Sequence, residues 1–234
     1  MKKGEKRRAD ILRVAEELFY AKGYDATTIQ DILNILELSK GGFYHHFESK
    51  EQLLETLCGA KIQEAADAGR EEAAAYGGAV DRLNVLLDRS AVWRAEYADF
   101  LGVLIRVAYR DNNVLMRDVF ARTCREALLP LLEEVVQEGM RAGEFSVQSA
   151  QGSARLLMTL LCSLNDDIAR LMLSCVDFPP SASAVLELLE LYRQAAERML
   201  EAPYGTVVIF QMGRLVSSCQ AVWQKHARAL RTLP

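Results

Sequence analysis

The sequence predicts an all-α protein, with an N-terminal three-helix unit of the helix-turn-helix type followed by a larger helical bundle. Apolar residues recur at helical spacing along most of the 234 residues, and half of all residues are hydrophobic. The chain has only five prolines and 14 glycines, too few for a β-sandwich with many turns. Its length is sufficient for a hydrophobic core without metals or disulfides.

The first part of the chain carries the signals of short capped helices. Gly23 ends the first helix, and two overlapping capping boxes begin at Thr27 and Thr28. A three-residue turn, Glu37-Leu38-Ser39, separates the next two helices, and Ser39 can cap the second of them. Two short helices so connected are typical of a helix-turn-helix, whose second helix enters the major groove. The predicted helices cover 5–22, 28–36, 40–46 and 50–75.

The remainder is predicted to continue as helices, which divides the chain into a helix-turn-helix unit over 1–48 and a helical bundle over 49–234. Segment 206–210 is rich in β-branched residues and could form a strand, but an apolar stripe from Val208 to Trp223 favours a helix. The further predicted helices cover 79–95, 97–110, 112–141, 149–174, 182–201 and 205–231.

Charge is unevenly distributed. The net charge is −4, yet residues 2–13 carry a local charge of +4. A basic arm on an acidic body indicates a protein that contacts DNA at one end, or else a solvated tail. No apolar run of 18 residues and no signal-peptide pattern occurs, so we expect a cytoplasmic protein without a membrane span.

The cysteines do not form a recognisable framework. Their number is odd and no CxxC occurs, so we expect small buried apolar side chains rather than disulfides or a zinc site, with a reactive or ligand-facing thiol as the alternative. They are Cys58, Cys124, Cys162, Cys175 and Cys219.

The stretch from Ser39 to Glu51 carries the chemistry. Gly41 and Gly42 weaken a short helix by about 1 kcal/mol each relative to alanine, and close approach of the backbone to a flat partner would offset that cost. Phe43 and Phe47 lie on one face and anchor the helix, which leaves Tyr44 and His45 able to bind phosphate oxygens, with Lys40 and Lys50 at helix starts. His45 and His46 point in different directions and lack a third ligand, so a metal site is not expected; a structural or solvated role for His45 stays open.

These residues resemble the DNA-binding signature of TetR-family transcriptional regulators. The resemblance covers about residues 5–58 and rests on Thr27-Thr28-Ile29, on the run from Leu38 to Phe47 and on Ser49-Lys50-Glu51. It implies an all-α homodimer that binds a palindromic double-stranded DNA operator and a small effector. The DNA-binding residues that it implies are Thr28, Ser39, Lys40, Gly41, Gly42, Tyr44, His45 and Lys50.

Two departures from the family pattern affect the motif. Glu37 occupies a turn position where glycine is usual, and a non-glycine residue at positive φ there costs about 1 kcal/mol. Leu33 and Leu36 replace small residues in the second helix, which could change the angle between the two helices.

Residues 1–58 hold nine basic and ten acidic groups, so DNA binding must depend on a focused basic face.

The predicted effector pocket lies in the bundle. Arg106, in an almost wholly apolar helix, is expected either to pair internally or reach the surface, or to meet an anionic ligand. The polar segment Asn165-Asp166-Asp167 interrupts an apolar helix. It could give the pocket polar selectivity for a ligand, or it could be a solvated break in the apolar face. A mostly apolar pocket suits a hydrophobic effector, although such side chains also simply pack as core. The candidates are Trp93, Tyr97, Phe100, Arg106, Tyr109, Met116, Phe120, Met158, Cys162 and Asp166.

Dimerisation is predicted through helices 149–174 and 182–201, as an isologous four-helix bundle, because two half-sites bind DNA more tightly than one. The resemblance places the interface on the same two helices. The predicted interface residues are Leu157, Leu161, Leu164, Ile168, Leu188, Leu189, Tyr192, Ala196 and Met199.

The sequence therefore predicts a ligand-responsive transcriptional regulator, specifically a repressor that a small hydrophobic effector releases from its operator. Neither HExxH, GxGxxG, a P-loop nor GxSxG occurs, so we expect neither an enzyme nor a cofactor. The alternatives are a small-molecule-binding bundle or a protein-interaction adaptor whose helix-turn-helix is only structural.

Overall fold

The computed structural model describes residues 3–89, 91, 93–109, 113–175 and 179–231. Within these residues the chain forms ten α-helices and no strand, which confirms the all-α prediction. None of these helices is long and apolar enough to cross a bilayer. The helices are α1 (Lys3–Lys22), α2 (Ile29–Leu36), α3 (Lys40–Tyr44), α4 (Lys50–Ala73), α5 (Ala79–Arg89), α6 (Ala98–Tyr109), α7 (Val114–Ala142), α8 (Ala150–Ser174), α9 (Ala182–Leu200) and α10 (Met212–Arg231).

The first three helices pack around a small core against the start of α4. Ile11, Phe19, Ile32 and Phe43 are fully or almost fully buried there, because each helix turns one apolar stripe inward. Glu16 joins α1 to α4: it accepts a hydrogen bond from Tyr20 at 2.8 Å, and the Lys61 ammonium lies 3.1 Å away. Burial, followed by the Glu16 carboxylate, raises the pKa of Tyr20 well above its usual range.

The larger bundle is built from α4 to α10. The long helices α7 and α8 pack on each other, α5 lies between α4 and α7, and α10 lies along α6. A carboxylate from beyond α7 caps α5, since the backbone N–H groups of Ala79 and Val80 donate to Glu144 at 3.0 and 2.9 Å.

Two predicted helix boundaries are wrong. The helix expected over 79–95 ends at Arg89, and Trp93 lies outside any helix because its indole is buried and bonded to α8. A 3-10 turn, Ala95–Tyr97, then leads into α6.

The predicted helix 205–231 begins only at Met212, and segment 206–210 is neither helix nor strand. Side chains from elsewhere satisfy its backbone. Asn84 donates to the Thr206 carbonyl at 2.8 Å and accepts from the Val208 N–H at 2.8 Å, while Glu197 accepts from the Val207 N–H at 3.0 Å. These tertiary hydrogen bonds replace those that a helix would supply.

Candidate nucleic-acid interface

The second helix, α2, begins at a capping box formed by Thr28 and Asp31. The Asp31 N–H donates to the Thr28 hydroxyl at 3.2 Å, and the Thr28 N–H donates to the Asp31 carboxylate at 2.7 Å. Lys22 also bonds this carboxylate at 2.6 Å, and Lys22 and Thr28 together lower the pKa of Asp31 well below its usual range. The overlapping box predicted at Thr27 is wrong, because Thr27 is buried and its hydroxyl donates to the Gly23 carbonyl at 2.8 Å.

The turn between α2 and α3 has the predicted strained residue. Glu37 ends α2 at φ 51° and ψ 45°, in the left-handed region, and its N–H donates to the Leu33 carbonyl. Ser39 then caps α3 as expected, since the Gly42 N–H donates to its hydroxyl at 3.1 Å. The backbone thus completes the helix-turn-helix without a glycine at the turn.

The third helix is pinned from one side and open on the other. Phe43 and Phe47 are fully or almost fully buried, with ring centroids 6.2 Å apart, so they hold the helix to the core. Lys40, Gly41, Tyr44 and His45, which we call the α3 surface, are exposed, and Tyr44 keeps 53% of its accessible area.

The two glycines of α3 differ. A Cβ placed on Gly42 would lie 3.4 Å from the Ser39 Oγ, in the space of the helix cap. A Cβ on Gly41 would meet no atom within 4 Å. Packing within the described chain therefore does not require a glycine at 41, where the backbone lies open to solvent.

The Lys50 side chain is hydrogen-bonded to backbone groups elsewhere in the same chain. Its ammonium donates to the Tyr24 carbonyl at 2.9 Å and the Thr27 carbonyl at 3.0 Å, and it lies 4.2 Å from the centroid of the Tyr24 ring. This lysine connects the start of α4 to the loop before α2. The sequence analysis assigned Lys50 to the DNA phosphate backbone, because the local sequence does not show that distant carbonyl groups bind its ammonium.

The basic arm predicted at the N-terminus continues into α1. Lys6 and Arg8 are exposed, and the Arg8 guanidinium lies 4.8 Å from the centroid of Phe47. This end of α1 therefore lies beside the α3 anchor and adds cationic side chains to that side of the domain. Lys2 falls outside the described residues.

Three cavities open among α4 to α8. The first cavity, about 490 Å³ with its mouth, is apolar and has walls from α4, α5, α7 and α8. The second, about 330 Å³, lies between α6, α7 and α8, and a polar crevice of about 830 Å³ opens between α7 and α8. Asn165 on α8 lines all three.

Six of the predicted pocket residues line one or more of these spaces, namely Trp93, Tyr109, Phe120, Met158, Cys162 and Asp166. Four do not. Tyr97, Phe100 and Met116 are buried as core, and Arg106 extends towards Gly23 at the end of α1. Sequence reasoning missed wall residues such as Leu86, Leu128 and Phe210, since leucines on an amphipathic helix look alike whether they line a cavity or fill a core.

Asp166 is hydrogen-bonded, and two thiols beside the cavities are neutral. Asp166 accepts a hydrogen bond from the Tyr109 hydroxyl, and burial followed by this carboxylate raises the pKa of Tyr109. Burial also raises the pKa of the Cys124 and Cys162 thiols. No cluster of three or more His, Cys, Asp or Glu side chains that could hold a metal occurs among the described residues.

Most of the predicted dimer residues are misplaced. Leu157, Leu161, Leu164, Ile168, Leu189, Tyr192 and Ala196 lie inside the protomer, with no more than 9% of their area exposed. Leu188 and Met199 are half-buried. The prediction failed because α8 and α9 first use their strongest apolar stripes on their own chain. The leucines that they leave outside are different ones, with Leu156 58% and Leu191 65% exposed.

Residues 11–57 match the family model of the bacterial regulatory proteins of the tetR family. This segment belongs to the TetR family. The matched segment contains the capping box, the strained turn and the α3 surface, so the geometry and the family signature coincide. The resemblance identified from the sequence is thereby confirmed.

Known relatives extend the similarity of this chain into the bundle. It is 28% identical over 174 residues to the HTH-type regulator YuxN of Bacillus subtilis, a match covering 71% of this chain and 53% of that one. The chain thus spans about half the length of this relative. It is 26% identical over 151 residues to the repressor KstR2 of Rhodococcus jostii, covering 62% and 72% of the two chains.

A solved TetR transcriptional regulator from Chloroflexus aurantiacus is 25% identical, with a TM-score of 0.53, and the match covers 86% of this chain and 98% of that one. This likeness supports the fold of the bundle as well as that of the helix-turn-helix. The relatives are named as transcriptional regulators, in agreement with the expectation that the chain is not an enzyme.

Proposed function

We propose that this chain binds double-stranded DNA through the α3 surface and regulates transcription as a ligand-responsive homodimer. One observation carries the proposal: the α3 helix is anchored by Phe43 and Phe47 on one side and presents Gly41 bare on the other. A glycine that weakens a helix without any packing reason is expected where another molecule approaches the backbone. Lys40, Tyr44 and His45 around it suit phosphate oxygens.

We assign residues 1–48 to DNA binding and residues 49–234 to effector binding and dimerisation. Thr28 and Ser39, exposed at the starts of α2 and α3, add hydroxyls to the same surface. Lys50 acts mainly by positioning, because two carbonyls already hold its ammonium. The α3 surface has few cations, so we expect it to contact only a few phosphates. In a plot of the logarithm of the affinity against the logarithm of the salt concentration, each contacted phosphate contributes about −0.9 to the slope.

The homodimer forms through leucines of α8 and α9 that are exposed on the protomer surface. Leu156, Leu186 and Leu191 are exposed apolar side chains on these two helices, and a second copy offers the same surface. Leu191→Glu should shift the protein from dimer to monomer in sedimentation equilibrium. An unchanged dimer would place the interface elsewhere.

Repression and release by a small effector complete the proposal, and the family relationship to the repressor KstR2 supports them. The long helix α4 contacts both parts: Lys50 and Lys61 hold the DNA-binding side, and Ile62 lines the first cavity. An effector that moves α4 changes the spacing of the two α3 helices. It must prefer the non-binding conformation by a few kcal/mol, since equal affinity for both shifts nothing.

The test uses duplex fragments that the purified protein selects from a randomised pool. We expect the wild type to retain one related set of palindromic fragments and Tyr44→Ala to lose them while unfolding at the same temperature. Gly41→Ala should weaken binding although it favours the helix, whereas Gly59→Ala, in α4 with nothing within 4 Å, should leave binding unchanged. Failure to retain any fragment at low salt would favour the structural helix-turn-helix of an adaptor or small-molecule-binding bundle.

A further inference from the structure

The orientation of the Asn165 carboxamide follows from its partner. The Trp93 indole Nε1 lies 2.7 Å from Asn165 Oδ1. An indole N–H can only donate, so the atom that it meets must be the oxygen. The amide nitrogen Nδ2 is therefore turned away from Trp93, and no hydrogen-bond partner holds it among the described residues. Asn165 lines the two apolar cavities and the polar crevice.

The two apolar cavities offer no free charge. Among its described residues the first cavity has no ionisable side chain other than the Cys124 thiol, which burial keeps neutral. In the second, Arg117 is already engaged: it donates to the Ala108 carbonyl at 2.9 Å and lies 5.3 Å from the centroid of the Tyr109 ring. A charged group placed in the first cavity would be desolvated without a counter-charge, and a cation placed in the second would also face the Arg117 guanidinium, at large cost.

We propose that Asn165 is the specificity-determining contact for an uncharged, elongated, apolar effector. Its Nδ2 donates a hydrogen bond to a neutral oxygen acceptor, such as a carbonyl or ether oxygen, and the hydrocarbon parts on either side of that oxygen occupy the first and second cavities. The polar crevice, open to solvent beside Asn165, is the route of entry. That this ligand regulates DNA binding rests on the proposed function, whereas its binding to the two cavities does not.

Binding of such a molecule must move the walls. Both cavities are gaps between packed side chains, too narrow for a hydrocarbon chain unless the walls rearrange. Those walls include Ile62 of α4 and Ile105 of α6. Both helices also contact α1, so widening the cavities displaces the elements that hold the DNA-binding helices.

The experiment uses the full chain carrying Trp223→Phe, which leaves Trp93 as its single tryptophan because the sequence has only two. Three probes with similar numbers of carbon atoms are titrated while Trp93 emission is followed: 6-undecanone, which carries hydrocarbon on both sides of its carbonyl, decanoate and decyltrimethylammonium. We expect the neutral ketone to bind at least about tenfold more tightly than either ion. Asn165→Leu should weaken ketone binding about tenfold, since the hydrogen bond is lost. Ser163→Ala, which alters only the crevice, should have no effect.

A second variant covers the case in which Asn165→Leu fails to fold. Asn165→Asp keeps an oxygen for Trp93 but replaces the donor, so it should also lose ketone binding. The proposal is overturned if either ion binds as tightly as the ketone, if a folded Asn165 variant keeps full ketone affinity, or if the ketone does not bind up to its solubility limit. Each titration is done without DNA, so absence of an operator contradicts only the proposed function.

Discussion

The guanidinium of Arg106, on α6, lies against the α-carbon of Gly23, at the end of α1. A Cβ at Gly23 would be 3.1 Å from Arg106 Nη1 and 3.4 Å from Nη2. The C-terminal end of a helix carries partial negative charge, which favours a cation there. The sequence predicted that Arg106 would need a partner or a ligand, and the structure directs it to the junction between the bundle and the DNA-binding helices.

This junction predicts a coupled pair of substitutions. Gly23 has φ +86°, so Gly23→Ala costs about 1 kcal/mol in backbone strain and adds the collision with Arg106. Gly143→Ala is the matched control, because Gly143 has φ +72° and nothing within 4 Å. In urea unfolding, Gly23→Ala should be the more destabilising of the two, and the excess should vanish in an Arg106→Ala background. Equal costs in both backgrounds would show that the contact has no energetic weight.

The strained turn predicts a stabilising change. Glu37 is held at φ 51°, where glycine has no Cβ penalty, so Glu37→Gly should raise the free energy of unfolding by up to about 1 kcal/mol. Glu134→Gly, on the exposed face of α7, should instead lower it by about 1 kcal/mol. Thermal and urea unfolding measure both, and a loss of stability in Glu37→Gly would contradict the expected effect.

The end of α7 predicts opposite effects for one type of substitution. A Cβ at Gly139 would lie 2.1 Å from Phe145 Cδ2, a buried ring, so Gly139→Ala should destabilise the protein by about 1–3 kcal/mol. Gly59→Ala has free space around it and should stabilise α4 by up to about 1 kcal/mol. Urea midpoints that move in the same direction for both would refute this packing.

The Asp31 capping box predicts a pH dependence. Lys22 and Thr28 lower the pKa of Asp31 in the folded state, so its contribution is present above the ordinary aspartate pKa of about 3.9 and is lost as the pH falls through the lowered value. Asp31→Asn should therefore be less stable than wild type at pH 7, and the difference should shrink in acid. Added salt should also reduce it, because the Lys22–Asp31 pair is about one-third exposed. A difference that stays constant from neutral to acidic pH would mean that Asp31 acts only as a neutral cap.

Local chemistry explains why the DNA-binding helices were predictable. Thr28, Ser39 and Ser49 each cap a helix within three residues of themselves, and Phe43 and Phe47 lie only four residues apart in the sequence. The positive φ at Glu37 was expected from the family resemblance, because glycine usually occupies that turn position. Lys50 was assigned to DNA because its carbonyl partners are more than 20 residues away along the chain.

The bundle depended on contacts that no local pattern shows. Segment 206–210 is bound by Asn84, which is more than 120 residues away, and this interaction prevents the helix that its apolar stripe predicted. Leu157 and Leu156 are adjacent leucines on one helix, yet the first is buried in the protomer and the second lies outside.

By itself, the order of residues determined the all-helical class and a capped, aromatic-anchored α3, since those features depend on interactions within a few residues. Only the packing of distant helices decided that Arg106 meets Gly23, that Asn165 joins three cavities, and which leucines of α8 and α9 remain available to a second copy. Those outcomes depend on which apolar helix faces pack against each other, and several faces of similar character compete. Only the complete folded chain decides between them.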